Sequence, residues 1–152
     1  MALEAKVQLM SVKETRIIPL EEFILGNRKT ARKREEFVTG LIIPHPGKDT
    51  RGNFEKLGSR AFLVISIAMV GVVAKLNESG EIANLNVAVG ACSAVSKRLC
   101  LLEKEAKGQK LKDLEIKPLH FENLEPIDDI RGTADYRNAV ISELVMRAVK
   151  GV

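Results

Sequence analysis

The sequence contains few aromatic side chains. Among its 152 residues are five Phe, one Tyr and no Trp, so aromatic residues make up only 4%. Nucleic-acid-binding domains usually combine a concentrated basic face with aromatic stacking platforms. A net charge of +4 with so few aromatic residues therefore favours an incidental basic surface, and nucleic-acid binding is the weakest of the functions considered.

Metal-binding and disulfide patterns are also missing. The two cysteines, Cys92 and Cys100, have no CxxC partner, and His45 and His120 are far apart in the sequence. None of the spacings known for zinc sites is present. We therefore expect two free thiols and no metal site.

No segment has the length of a membrane span. The longest apolar run, 61–74, is interrupted by Ser66 and Gly71 and falls short of the roughly 20 residues that a spanning helix needs. The first residues, MALEAKVQ, have no apolar core of a signal peptide. These features predict a cytoplasmic protein, and the length predicts one domain with at most a short additional element.

The motifs of common active sites are absent as well. The sequence has no GxSxG, no GxGxxG and no P-loop, and neither cysteine has a histidine nearby. The adjacent Asp128 and Asp129 are more typical of helix capping than of acid/base catalysis. The basic run RKTARKRE at 28–35 is more typical of a solvated connector than of a phosphate site. The residues alone indicate a globular α+β domain without an evident catalytic group.

Strand patterns dominate the first part of the chain. Residues 5–10 and 16–19 flank a polar stretch and predict a β-hairpin. Pro19 followed by two glutamates predicts a short helix that ends at Gly26. VTGLIIP at 38–44 is β-branched and apolar and predicts a strand.

The middle of the chain combines loops with a second hairpin. HPGKDTRGN at 45–53 predicts an irregular loop. The apolar run that starts at Arg60 predicts a helical turn or two passing into a strand, although periodicity cannot separate helix from strand there. Residues 77–81 predict a turn, so that 69–90 form a β-hairpin packed on a core.

Helices are predicted in the last third. Ser96 is the expected cap of a helix that Gly108 ends, and Pro118 prevents a continuous helix through the following segment. The last helix is predicted over 133–149, with Thr133 as its cap. Its expected buried stripe comprises Tyr136, Val140, Leu144 and Ala148, with Ile141 and Val145 beside it. The fold class is therefore α+β, with a mostly antiparallel sheet of three to four strands packed on about three helices.

Four stretches occur in a characteristic order along the chain. They are LEEFILGNRKTARKREEFVTGLIIP, FEKLGSRAFLVISIAMVGVVAKL, IANLNVAVGACSAVSKRLCLLE and DDIRGTADYR. Matching positions in the last two are Gly90, Arg98, Glu103, Asp129, Arg131, Gly132, Tyr136 and Arg137. Together they resemble the C-terminal domain of the FAD-binding (medium) subunit of molybdenum hydroxylases, the family of xanthine dehydrogenase and aerobic carbon monoxide dehydrogenase.

The resemblance implies a role beside a flavin. Residues 1–25 would be the remnant of the end of a flavin domain, and 26–152 the flavoprotein C-terminal α+β domain. The chain would close one side of the FAD site and assist subunit assembly, with no chemistry of its own. Expected partners are the FAD-binding N-terminal domain, the molybdenum subunit and the iron–sulfur subunit. Because the cofactor is shared with that N-terminal domain, we expect weak or absent FAD binding by this chain alone.

Two family contacts to FAD map onto this sequence. They correspond to Val38 in EEFVTGLIIP and Lys56 in FEKLGSR. A cationic amine near FAD is electrostatically favourable, because the cofactor carries a pyrophosphate and its reduced ring can be anionic. Without the resemblance, Lys56 is equally explained as a surface lysine in a loop, and Val38 as a residue that packs in the core.

The loop before the last helix has an expected structural role. Asp129 and Arg131 should lock this loop, Gly132 should allow a sharp turn, and Tyr136 should cover the core. At the other end of the chain, Val7, Leu9 and Ile17 are expected to form an exposed patch that causes self-association or binds a partner. The competing hypothesis is a stand-alone interaction or assembly module that no longer binds FAD.

Overall fold

The computed structural model describes all 152 residues and contains nine strands. In chain order they are β1 (Lys6–Met10), β2 (Thr15–Pro19), β3 (Ile24–Gly26), β4 (Lys29–Thr30), β5 (Phe37–Ile42), β6 (Thr50–Leu57), β7 (Ala68–Leu76), β8 (Ile82–Gly90) and β9 (Lys97–Arg98). The α-helices are α1 (Leu20–Phe23), α2 (Cys100–Ala106) and α3 (Ala134–Lys150), with 3-10 turns at Leu111–Asp113 and Pro118–Phe121. None of these helices is long and apolar enough for a bilayer crossing.

The main sheet has four antiparallel strands in the order β6-β7-β8-β9. Alternate residues of β7 and β8 point to one face, where Val70, Val72, Val87 and Val89 are buried. Helix α2 packs against β8, and α3 packs against β6 and β7. One face of the sheet is therefore roofed by helices, which confirms the predicted α+β class.

Helix α3 forms as its sequence predicts, with one shift of its buried face. The Thr133 hydroxyl accepts a hydrogen bond from the Tyr136 backbone N–H at 3.1 Å and caps the helix. Tyr136, however, is 46% exposed, and the next residue, Arg137, is buried in its place. The prediction that Tyr136 covers the core is therefore wrong. Arg137 can occupy the buried position because backbone carbonyls and a carboxylate satisfy most of its donors.

A second, three-stranded sheet with the order β2-β1-β5 is formed near the N-terminus. Val7 and Leu9 of β1 are fully buried, so the prediction that they are exposed is wrong, whereas Ile17 is half-exposed as expected. Leu9 is the register partner of Arg16, whose guanidinium binds Ala31 and Glu36. The segment after β2 thus folds back over the face that carries Val7 and Leu9.

Three local predictions are wrong in whole or in part because longer-range contacts prevail. The loop predicted at 45–53 becomes strand β6 from Thr50, since Thr50 to Leu57 pair with β7. The helical turn expected after Arg60 is an irregular loop, whose carbonyls at Leu63 and Val64 accept side-chain donors instead of helical N–H groups. Residues 97–98 form strand β9, which pairs with β8, so α2 begins only at Cys100 and Ser96 is not its cap.

Candidate functional site

The face of the main sheet opposite the helices carries the residues of greatest interest. Asn53 of β6 points to the helices, because its amide donates to the Ala148 carbonyl at 3.1 Å. Phe54 and Lys56 flank Glu55 and lie on the other face, opposite Gly71 and Met69 of β7. An aromatic ring and an ammonium group are therefore neighbours on the face of the sheet that α2 and α3 do not cover.

An apolar cavity of about 260 Å³ lies on this face, between the sheet and the N-terminal segment. Its lining comprises Met1, Ala2, Leu20, Ile24, Phe54, Met69, Gly71, Ala88, Gly90 and Ser96. The Phe54 side chain is 59% exposed. A Cβ atom at Gly90 would overlap the Met69 side chain, so glycine keeps this wall of the cavity flat. A flat apolar group can lie against such a wall.

Lys56 is held beside this face by the loop that follows β6. Its Nζ donates a hydrogen bond to the Val64 carbonyl at 2.6 Å, and Arg60 donates to the Leu63 carbonyl at 2.6 Å. Leu63 has a φ of 51°, so the two cations stabilise a strained loop. An ammonium group has three donors, and at most two of those on Lys56 remain for a ligand.

Val38 lies on β5, in the other sheet. It is 48% exposed and is the register partner of Leu9. The two residues predicted to contact FAD are therefore on separate sheets, and no hydrogen bond or strand pairing joins them. Val38 is not part of the packed core either, which removes the simplest alternative explanation for a valine there.

The match positions Arg98 and Glu103 form a structural ion pair. Arg98 Nε donates to Glu103 at 2.5 Å, and a second nitrogen of Arg98 donates to Asn86 at 2.6 Å. Glu103 also accepts the backbone N–H of Val87 at 2.8 Å. Arg98 additionally lies on a cavity of about 340 Å³ beneath the N-terminal segment. This network fixes the start of α2 against β8.

The loop before α3 is locked as predicted, but by one more residue than expected. The Asp129 carboxylate accepts two hydrogen bonds from Arg131, one from its backbone N–H at 2.8 Å and one from its guanidinium at 2.6 Å. The backbone N–H of Arg131, and then its guanidinium, lower the pKa of Asp129. Asp129 also binds Arg137 at 2.7 Å. The loop does turn sharply at Gly132, because Asp129 and Gly132 exchange two backbone hydrogen bonds of 3.2 Å, although Gly132 does not adopt a positive φ.

Arg137 joins four parts of the molecule. Its guanidinium donates hydrogen bonds to the Asp129 carboxylate and to two backbone carbonyls. One carbonyl belongs to Ile67, just before β7, and the other to Ala91, just after β8, at 2.6 Å. Its side chain is 1% exposed, and Nε has no partner. The sequence identifies Arg137 only as a position that matches the family, and its buried structural role has no local signal there.

The basic run at 28–35 is anchored by a buried acid. Glu36 is 2% exposed and accepts from Arg16 Nε at 2.7 Å and from the Lys33 backbone N–H at 2.6 Å. The hydrogen bond from Arg16 lowers the pKa of Glu36 to about 2. Arg32 donates to the Glu36 carbonyl at 2.6 Å, so part of the run is structural rather than simply solvated.

The remaining polar candidates have structural partners. The Asp128 carboxylate accepts the Ala134 backbone N–H at 2.7 Å, which confirms its role at the start of α3. Cys92 and Cys100 are free thiols as predicted, and burial raises the pKa of Cys92. Buried His120 contacts Glu105 at 3.2 Å. No three His, Cys, Asp or Glu side chains gather closely enough to hold a metal ion.

Comparison with known families matches almost the whole chain. Residues 54–152 match the CO dehydrogenase flavoprotein C-terminal domain. Residues 1–46 match the FAD binding domain in molybdopterin dehydrogenase. The two matched ranges meet near the transition from β5 to β6, where the chain passes from one sheet to the other.

Individual relatives agree with these family matches. The chain is 30% identical to the glyceraldehyde dehydrogenase medium chain of Sulfolobus acidocaldarius, over 99% of this chain and 54% of that protein. It is 26% identical to the nicotine 6-hydroxylase medium subunit of Paenarthrobacter nicotinovorans, over 98% of this chain and 52% of that protein. The chain therefore spans about half the length of these relatives.

A solved structure has the same fold. A chain of carbon monoxide dehydrogenase from Hydrogenophaga pseudoflava superposes with a TM-score of 0.88, at 24% identity, over 98% of this chain and 52% of that chain. At this level of identity the superposition establishes the fold.

Proposed function

Because this chain belongs to the CO dehydrogenase flavoprotein C-terminal domain family, we propose that it closes one side of the flavin site in a molybdenum-hydroxylase-type oxidoreductase. FAD is the cofactor with which the flavoprotein subunit of this family associates. The chain corresponds to the C-terminal portion of such a subunit and performs no chemistry itself. Its proposed partners are the N-terminal FAD-binding region and subunits that carry molybdenum and iron–sulfur clusters. The division into 1–25 and 26–152 stays a prediction.

The sheet face that carries Phe54, Met69 and Lys56 is the observation that supports this function best. Its apolar side chains fit a flat ring system, and the Lys56 ammonium fits an anionic group of the cofactor. The sequence lacks the glycine-rich loop that usually cradles a pyrophosphate. The residues present therefore fit one edge of FAD rather than the whole cofactor.

The roles of Lys56 and Val38 follow from their positions. FAD, when bound, supplies the electron-accepting chemistry. Lys56 would orient its remaining N–H donors toward the cofactor while the Val64 carbonyl fixes the amine. Val38 would offer an apolar contact from β5, where its side chain is half-exposed. Both residues bind and orient, and neither transfers a proton.

An FAD titration with Lys56 variants tests the proposal. In the complex that contains the N-terminal FAD-binding region, we expect Lys56→Gln to weaken FAD binding about tenfold, the loss of one charge-assisted hydrogen bond. Lys75→Gln is the matched control, because Lys75 is an exposed lysine on the neighbouring strand. The isolated chain should bind FAD weakly or not at all, as read from flavin fluorescence.

The outcomes separate the two functional hypotheses. Equal FAD affinity of the Lys56 and Lys75 variants would contradict the role of Lys56. Tight, stoichiometric FAD binding by the isolated chain would contradict a shared site. A complex that assembles with the partner subunits but contains no FAD would favour the alternative, an assembly module that no longer binds the cofactor.

A further inference from the structure

The two larger sheets belong to two units that have separate cores. The main-sheet unit, residues 50–152, has a core of 18 buried side chains, all of which lie between Ala68 and Val149. The N-terminal unit, residues 1–43, buries Val7 and Leu9 outside that core. No backbone hydrogen bond joins a residue of one unit to a residue of the other. Each unit therefore holds its own strands together.

Few polar contacts cross the seam between the units. The Asn86 amide donates a hydrogen bond to the Ala2 carbonyl at 2.9 Å, and Arg98 donates one to the Met1 carbonyl at 3.4 Å. Arg98 also lies 3.9 Å from the Glu4 carboxylate. Four cavities of about 140, 260, 340 and 410 Å³ are lined by residues of both units. A seam that is this loosely packed permits relative motion of the two units.

The linker between the units, residues 44–49, has the features of a hinge. All six of its side chains or backbone positions are exposed. Gly47 has a φ of 88°, and no atom lies within 4 Å of the place that its Cβ would occupy. The side-chain hydrogen bonds of the linker are local, from the Gly47 N–H to His45 at 3.0 Å and from Thr50 to the Pro46 carbonyl at 2.6 Å. Short loops of this kind absorb the backbone rotation of a hinge.

We propose that the two units form a hinged pair that closes on the flavin, with the linker as the hinge. This inference rests on the proposed function, because the two proposed flavin contacts lie on opposite sides of the seam. Val38 belongs to β5 of the N-terminal unit, and Lys56 belongs to β6 of the main-sheet unit. FAD that contacts both residues binds the closed arrangement better than the open one, and so shifts the population toward closure.

Opening of the seam leaves the main-sheet unit intact. Asn86 is 5% exposed, and its side-chain oxygen accepts from Arg98 at 2.6 Å. Arg98 in turn is held by Glu103 at 2.5 Å and 2.9 Å. These bonds stay within one unit and survive when the units separate. Opening breaks only the contacts to the first residues of the chain, whose carbonyls water can then satisfy.

Distances between two spin labels test the inference in the complex that contains the N-terminal FAD-binding region. Spin-labelled amino acids at Thr39 and Ser142 measure across the seam, because the two positions are exposed and belong to different units. Labels at Lys75 and Ser142 are the matched control, since both lie in the main-sheet unit. We expect addition of FAD to narrow the distribution of distances across the seam and to leave the control distribution unchanged.

A longer linker gives an independent measurement. Four Gly and Ser residues are inserted after Lys48 in the linker or, as the control, after Ser79 in the exposed turn between β7 and β8. The linker insertion should weaken FAD binding at least about threefold, because it lowers the effective concentration of one unit beside the other. The control insertion should leave FAD affinity unchanged, and circular dichroism checks that both variants are folded.

The outcomes separate the hinge from the proposed function. FAD binding without any narrowing across the seam, or equal FAD affinity of the two insertion variants, would overturn the hinge and leave the shared flavin site in place. A complex that does not bind FAD at all would overturn both.

Discussion

Replacing Arg137 by methionine tests the clamp that holds the main sheet to α3. The variant keeps most of the length and apolar stem of the side chain but removes every donor. The carbonyls of Ile67 and Ala91 then lose a hydrogen-bond donor within a region where Arg137 itself is 1% exposed. Each unsatisfied buried acceptor costs about 1–3 kcal/mol, whereas relief from burying a charge offsets part of this cost.

We therefore expect Arg137→Met to lower the free energy of unfolding by about 2–4 kcal/mol. In a domain of this size that loss corresponds to a decrease in Tm of about 5–15 °C. Urea denaturation followed by circular dichroism measures the first quantity, and a thermal scan measures the second. A variant as stable as the parent would refute the view that the donors of Arg137 hold these elements together.

Arg131→Ala is the matched control for this prediction. The Arg131 side chain is 36% exposed, and its ion pair with Asp129 is open to solvent. Such surface pairs contribute about 0–1 kcal/mol, so we expect only a small decrease in Tm. Any residual flavin affinity should not change. A larger loss from Arg131→Ala than from Arg137→Met would reverse the assigned roles of the two arginines.

Two further predictions concern acid stability and the sheet face. Because Arg16 lowers the pKa of Glu36 to about 2 from an ordinary value of 4.5, this carboxylate stabilises the fold fully above pH 4.5 and loses that contribution as the pH falls toward 2. Glu36→Gln should flatten the decline in unfolding free energy over that range, and a parallel decline in both proteins would speak against the pairing. Gly90→Ala should destabilise by about 1–3 kcal/mol, since the new Cβ overlaps Met69. Gly71→Ala is its control, because the nearest atom to that new Cβ is 3.9 Å away; equal stability of the two alanine variants would contradict the packing argument.

The sequence alone predicts those helices and strands whose formation is determined by their own residue pattern. Helix α3 follows from its apolar period and from Thr133, and the hairpin of β7 and β8 follows from alternation around the turn at 77–81. Strand β6 was only partly visible, because its polar first residues resemble a loop until they pair with β7. Tertiary pairing decided the state of those residues.

The buried charges could not be predicted in the same way. Arg137 contacts carbonyls 70 and 46 residues away in sequence, and no periodic pattern reports such distances. The sequence predicts Val7 and Leu9 at the surface because the N-terminal hairpin is expected to face the N-terminal flavin domain. Both are buried instead, beneath a charged segment that Arg16 and Glu36 anchor. The residues expected at the flavin were available only through the family resemblance, since an exposed lysine and a half-exposed valine carry no local signal.

The central claim is that this chain forms one side of a flavin site in a larger oxidoreductase. The most direct measurement is purification of the tagged chain from the cells that produce it, with visible absorption, metal content and peptide identification of the product. We predict flavin absorption together with molybdenum, iron and polypeptides that carry an FAD-binding domain. A chain that is recovered alone, without flavin and without those polypeptides, would contradict the account.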